Sequence, residues 1–243
     1  MNKRVINTLS EKDIQIPPGW ITKIYLKLEP PRKFKRKDIV GDLNNKNRID
    51  QFLRRAVDFD LLKKLNRGEY FAVDPCTAIN CWTVENYYSE LLVLKSLFDY
   101  IGMQHAFLCL SANEYADYVP DRPMIVTKKE NGFENVDSFV YDFESCERLK
   151  LKVMEKTFEL PLLSREETAL LLMSTYLSRE VKAGKEIIGD IDLSEDVKSK
   201  LSGLGYSGFD VIDSSNAEVK FPGWIREKQE KVGIGRLKEI ATR

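Results

Sequence analysis

The chain is short of the residues that most metal and triad chemistry needs: it has one histidine and four cysteines in 243 residues. Cys76 and Cys81 stand five apart, Cys109 and Cys146 stand alone, and there is no C-x-x-C pair. That spacing gives neither a zinc knuckle nor the framework of a small disulfide-bonded domain, so the cysteines read as packing thiols. His105 lies between a helix end at Gly102 and an apolar stretch, with no recognisable nucleophile partner, and reads as a packed or capping histidine rather than a triad member. Neither IGRLK nor GKE matches a phosphate loop. A run of about 18 apolar residues is absent, and the first residues, MNKRVINTLSEKD, lack a hydrophobic signal core. The expectation is therefore a soluble, cytoplasmic protein with no membrane partner, no cofactor and no bound metal.

What is present is enough for a core and is unevenly charged. Apolar residues make up 43% and aromatics 10% of the sequence, which excludes disorder as the default reading. The zero net charge hides a split: residues 1–19 carry +1, residues 20–68 carry +8 and residues 69–243 carry −9. A basic module joined to an acidic one favours an anionic partner for the first alone.

The stretch KNRIDQFLRRAVDFDLLKKLNRGEYFAV, residues 46–73, organises the basic module. Ile49, Phe52, Leu53, Ala56 and Val57 follow the spacing that puts apolar side chains on one helix face. Asn47, Arg48, Gln51, Arg54 and Arg55 occupy the other. Strands over 61–65 and 69–73 follow, joined by Asn66-Arg67-Gly68, where Asn and Gly tolerate the positive φ of a tight turn. Upstream, Trp20, Ile21, Ile24, Tyr25 and Leu28 give a first helix closed by Pro30-Pro31. RKFKRKDIVGDL gives a short helix over about 36–43, with Ile39, Val40 and Leu43 inward and cations at its start. Three helices and a two-stranded wing form a winged helix-turn-helix pattern, and the first domain is placed at residues 1–75.

Residues 76–243 read as a mixed α/β second domain, making the whole an α+β chain. A helix over 86–103 ends near Gly102, and 106–110 is a buried strand candidate. Strands are expected over 124–128, 138–143 and 151–160, with Asn131-Gly132 as a hairpin turn. Ser164 and Glu167 form a capping box that opens a helix through Tyr176, whose 169–173 run should be core. A short helix is expected over 195–204, a hairpin over 209–221 about Ser214-Ser215-Asn216, and a charged helix over 224–240.

Duplex DNA is the partner this pattern fits. An Arg fork matches guanine O6/N7 and Gln matches adenine N6/N7 in the major groove, which assigns base reading to Arg48, Gln51, Arg54 and Arg55. Lys33, Lys35, Arg36 and Lys37, with Lys46 at the helix start, are candidates for phosphate contact. Arg67 at the wing tip is placed for a minor groove or the adjacent backbone. A palindromic site would require a homodimer.

The wing LKKLNRGEYFAVDP, the helix YYSELLVLKSLFDYIGM and the segment LPLLSREETALLLMSTY together resemble the AbiEi-type antitoxins and the winged-helix transcriptional regulators like them, over roughly residues 20–180. The resemblance implies a non-enzymatic DNA-binding regulator, an autorepressing antitoxin with a cognate toxin protein as partner. An alternative from a different class is a metal-dependent, restriction-type nuclease. Its acids Asp210 and Glu218 would ligate the ion and Lys220 would assist the attacking water. Asp190 and Asp192, at the i, i+2 spacing of paired carboxylates, have no upstream Gly-Ser turn and read as a turn before a helix.

Overall fold

The computed structural model describes residues 16–39, 43, 45–121, 123–143, 146–175, 177–189 and 194–203. The expected hairpin over 209–221, the helix over 224–240, Val40, Asp190 and Asp192 all lie outside them. The chain is mixed α and β, with helices and small sheets. Its contacts divide it into two compact units. The first takes in described residues of 1–104, 131–137 and 149–160, the second those of 105–130, 138–148 and 161–243.

The first unit begins with α1, Gly19–Lys27, which buries Ile21, Ile24 and Tyr25. The Tyr25 hydroxyl donates to the Val73 carbonyl, and burial, reinforced by Asp74, raises its pKa well above the usual tyrosine range. A strand, β1 (Arg32–Lys35), comes next, where the charge-rich sequence gave no strand signal. The helix expected over 36–43 is confined, among described residues, to one 3-10 turn, Arg36–Ile39. Only Phe34 of β1 is buried, so tertiary pairing holds the strand rather than local propensity: Phe34 stacks on Tyr70 across the sheet at 5.7 Å.

The helix α2, Lys46–Asp58, starts where Asn45 accepts the Asn47 N–H at 2.9 Å, a side-chain cap for an otherwise unsatisfied donor. It buries Ile49, Phe52, Leu53 and Ala56, four of the five expected core positions; Val57 is half-buried. Strands β2 (Leu62–Asn66) and β3 (Glu69–Ala72) form the expected hairpin, turning at Gly68 with φ +77°. With β1 they make an antiparallel sheet of order β1-β3-β2.

The unit does not end at residue 75. A helix missed in the sequence, α3 (Pro75–Cys81), follows at once, with Asp74 capping the Thr77 N–H and Pro75 in the first turn. Next comes α4, Asn86–Ile101, which ends on Gly102 at φ +66° as its sequence predicts. Two contacts tie α4 to the hairpin: Lys63 pairs with Glu90 at 2.8 Å, and the Phe71 and Tyr100 rings lie 5.4 Å apart.

In the second unit the 106–110 run is not one strand. β4 is His105–Phe107, and Leu108 already opens α5, Leu108–Ala116. Those residues are buried on every side, so their apolar pattern carries no period to tell strand from helix. β4 pairs antiparallel with β5 (Ile125–Thr127), and β5 pairs parallel with β6 (Ser138–Val140). Asn131-Gly132 is therefore not a hairpin turn but part of a crossover. Ser164 caps α6, Arg165–Ser174, as expected: its Oγ accepts the Glu167 N–H, and its hydroxyl donates to Glu167 Oε2 at 3.1 Å. Helices α7 (Ser178–Gly189) and α8 (Glu195–Gly203) complete the unit. Ala169, Leu170, Leu172, Ala183 and Ile187 form the centre of its core. The strand expected over 151–160 is two, β7 (Cys146–Val153) and β8 (Lys156–Leu163), reversing at Met154 with φ +51°. The unit boundaries fall inside both strands.

Candidate nucleic-acid interface

The exposed side of α2 follows from its buried side. At about 100° per residue, Ile49, Phe52, Leu53 and Ala56 converge on one direction, and Arg54, Gln51, Arg55 and Arg48 span an arc of about 120° on the far side. All four are exposed, as are Lys46 and Asn47. Asp58 falls within the same arc and is the one acid there. Long side chains that present forked donors, or the donor–acceptor pair of an amide, from one arc have the reach to meet base edges along a groove.

The cations before α2 divide into engaged and unengaged groups. Arg36 is half-buried; its Nε donates to Asp50 Oδ1 at 2.9 Å, and Nη2 lies 2.7 Å from the same oxygen. Lys35 pairs with Glu69 at 3.3 Å across the β1–β3 ladder. Lys33 is exposed, with its Nζ 5.0 Å from the centre of the Phe133 ring. Lys37 is exposed. Among the described residues, Lys37, Lys46, Arg48, Arg54, Arg55 and Arg67 enter no ion pair. These six, with Gln51 and with Lys33, whose ammonium meets a ring face and no carboxylate, are the part of the predicted set whose polar ends remain available to a partner.

Arg67 is exposed at the tip of the β2–β3 turn, and the Gly68 carbonyl beside it accepts the Arg36 N–H at 2.9 Å. The turn is braced at its base. Asn66 Nδ2 donates to Glu69 Oε2 at 3.0 Å, and this hydrogen bond, with Lys35 adding to it, holds the Glu69 carboxyl below its usual range.

A segment far along the chain, 131–137, also belongs here, and nothing in the sequence reading assigned it. Asn135 meets the Leu65 carbonyl and Glu134 meets Asn66, both at the root of the wing. The Asn-Gly pair does mark a turn; its target is a nonlocal contact that no local pattern encodes.

Asp210, Glu218 and Lys220 lie outside the described residues. Among the described residues, no group of three or more His, Cys, Asp or Glu side chains is arranged to hold a metal ion. His105 is buried and meets Phe107 edge-on, with ring centres 5.4 Å apart. Cys81 and Cys109 are buried, Cys146 is half-buried and Cys76 is exposed, with Lys156 Nζ 3.1 Å from its sulfur. Among the described residues, no helix is long and apolar enough to cross a membrane.

Comparison with family models, curated proteins and solved structures gives no match for this chain.

Proposed function

We propose that this chain is a duplex-DNA-binding protein whose first unit carries a winged helix-turn-helix. The observation that carries the reading is the exposed, unpaired arc of Arg48, Gln51, Arg54 and Arg55 opposite the buried face of α2. In support, the order α1, β1, one-turn helix, α2, β2, β3 with the sheet order β1-β3-β2 provides what a winged helix needs: a helix to enter a groove and a hairpin beside it. On this reading α2 reads bases, Lys33, Lys37 and Lys46 meet phosphates, and Arg67 reaches the neighbouring groove or backbone. Lys35 and Arg36 contribute less, because Glu69 and Asp50 already hold them.

The particular function that suits such a protein is that of a transcriptional regulator of the AbiEi-like kind. It would act as a homodimer on a palindromic operator, with a cognate toxin as the partner of its acidic part. That step rests on the resemblance of LKKLNRGEYFAVDP and the segments after it. The nuclease reading through Asp210, Glu218 and Lys220 is the second choice, and plasmid cleavage in Mg²⁺ or Mn²⁺ that Glu218→Ala abolishes would replace the first.

The DNA-binding reading is tested by equilibrium binding of the full chain to a random-sequence duplex as salt is raised. The three lysine–phosphate contacts imply a loss of about forty-fold between about 50 and 200 mM salt. Absence of salt-sensitive binding would overturn it.

A further inference from the structure

The wing contains an irregularity that a distant segment exploits. The β2–β3 register shifts between Lys64 and Asn66, which takes Leu65 out of the regular ladder just before the Arg67-Gly68 turn. Its carbonyl is satisfied elsewhere: the backbone N–H and the side-chain Nδ2 of Asn135 both donate to it, each at 3.0 Å. Asn66 is captured by the same segment. Its Oδ1 accepts the Glu134 N–H at 2.8 Å, and its Nδ2, bonded to Glu69, also lies 3.5 Å from the Gly132 carbonyl.

The capturing segment is itself rigidly built. Phe133 donates its N–H to Asn131 Oδ1 at 2.7 Å, Asn131 Nδ2 donates to the Val136 carbonyl at 3.3 Å, and Gly132 takes φ +69°. Val136 is buried, and Lys33 sits against the Phe133 ring. A self-braced loop that supplies three donors to the two residues before a turn leaves that turn little freedom.

From this geometry we infer that residues 131–137 are a clamp that fixes the wing, and that Asn135 is a positioning residue for the contact Arg67 makes with DNA. The inference rests on the DNA-binding reading. An arginine on a free two-residue turn loses much of its contact energy to ordering the turn; one on a clamped turn is presented already ordered. Asn135 does not touch DNA in this account; it acts only through Arg67.

The test is a double-mutant cycle on the full chain with a random-sequence duplex. Arg67→Ala weakens binding several-fold. Asn135→Ala, which removes the side-chain donor, weakens it about five-fold when Arg67 is present and leaves it unchanged when Arg67 is already alanine. Gly132→Ala, which distorts the clamp through its positive φ, gives the same pattern. Losses that add across the cycle, as general damage to the fold would produce, overturn the clamp. So does an Asn135→Ala and Gly132→Ala pair that binds like the unaltered chain, or an Arg67→Ala chain that binds normally. In those cases the DNA-binding reading stands. If the unaltered chain binds no DNA, both fall.

Discussion

Arg36 leaves its one-turn helix to meet Asp50 on α2, with Nε and Nη2 2.9 and 2.7 Å from a single carboxylate oxygen. Both side chains are substantially exposed, so the pair is worth at most about 1 kcal/mol to the fold. Its larger effect is on charge, since it holds one cation of the candidate interface and places an acid beside the others. Asp50→Ala should tighten binding to random duplex several-fold at low salt and steepen the salt slope by about one phosphate contact. Unchanged or weaker binding would show that Arg36 and Asp50 lie away from DNA.

Glu69 links the wing to β1 through Asn66 and Lys35. These contacts hold its carboxyl below the ordinary value of 4.5, so its folded form favours the carboxylate. A group of that kind contributes fully above the unfolded value and loses its contribution as pH falls through the lower folded value. Comparing denaturant midpoints of the unaltered chain and Glu69→Gln, the advantage of the carboxylate should persist from neutral pH to about 4.5 and decline from there as pH falls through the lower folded value. A difference independent of pH would contradict these contacts.

The four thiols should differ in reactivity. Burial, with Glu167 nearby, pushes the Cys146 thiol up to about 11, and burial carries Cys81 above the usual thiol range. Cys109 is buried, whereas Cys76 is exposed. Because the thiolate is the nucleophile, iodoacetamide near neutral pH should label Cys76 first, and Cys76→Ser should abolish the fast phase, as peptide mass spectrometry would show. Early labelling of Cys81 or Cys146 would contradict the described packing.

The close crossing of α6 and α7 depends on Gly184. A Cβ there would lie 2.6 Å from Met173 Cγ and 3.0 Å from the Ala169 carbonyl oxygen. Alanine gains about 1 kcal/mol over glycine in a helix, but overpacking costs about 1–3 kcal/mol, so the clash outweighs the propensity. Gly184→Ala should lower the melting temperature by a few degrees in a thermal scan, and an unchanged or higher value would contradict the crossing.

How much of this was legible from sequence follows from where each signal resides. Asn45, Gly68, Gly102 and the Ser164–Glu167 cap act within a few residues of themselves, so the ends of α2, β2, α4 and α6 could be read directly. Asp74 and Pro75 carry an equally local start signal for α3. β1 was illegible because its stabilisation comes from Tyr70 and Phe71, far along the chain. The parallel pairing of β5 with β6 is hidden for the same reason, so the local turn signal of Asn131-Gly132 does not reveal that it lies in a crossover rather than a hairpin. The basic arc of α2 could be listed from spacing alone. That Asp50 and Glu69 would engage Arg36 and Lys35, and that Asn135 would reach Leu65, needed coordinates.

The central claim is that α2 reads base edges from its exposed arc. Selecting a preferred duplex from a random pool and measuring its affinity for the unaltered chain, Arg54→Ala and Arg55→Ala tests it most directly. The account predicts that either substitution weakens the selected site by about 1–3 kcal/mol while random duplex is bound almost as before. Equal losses on both duplexes, or no selectable site at all, would contradict it.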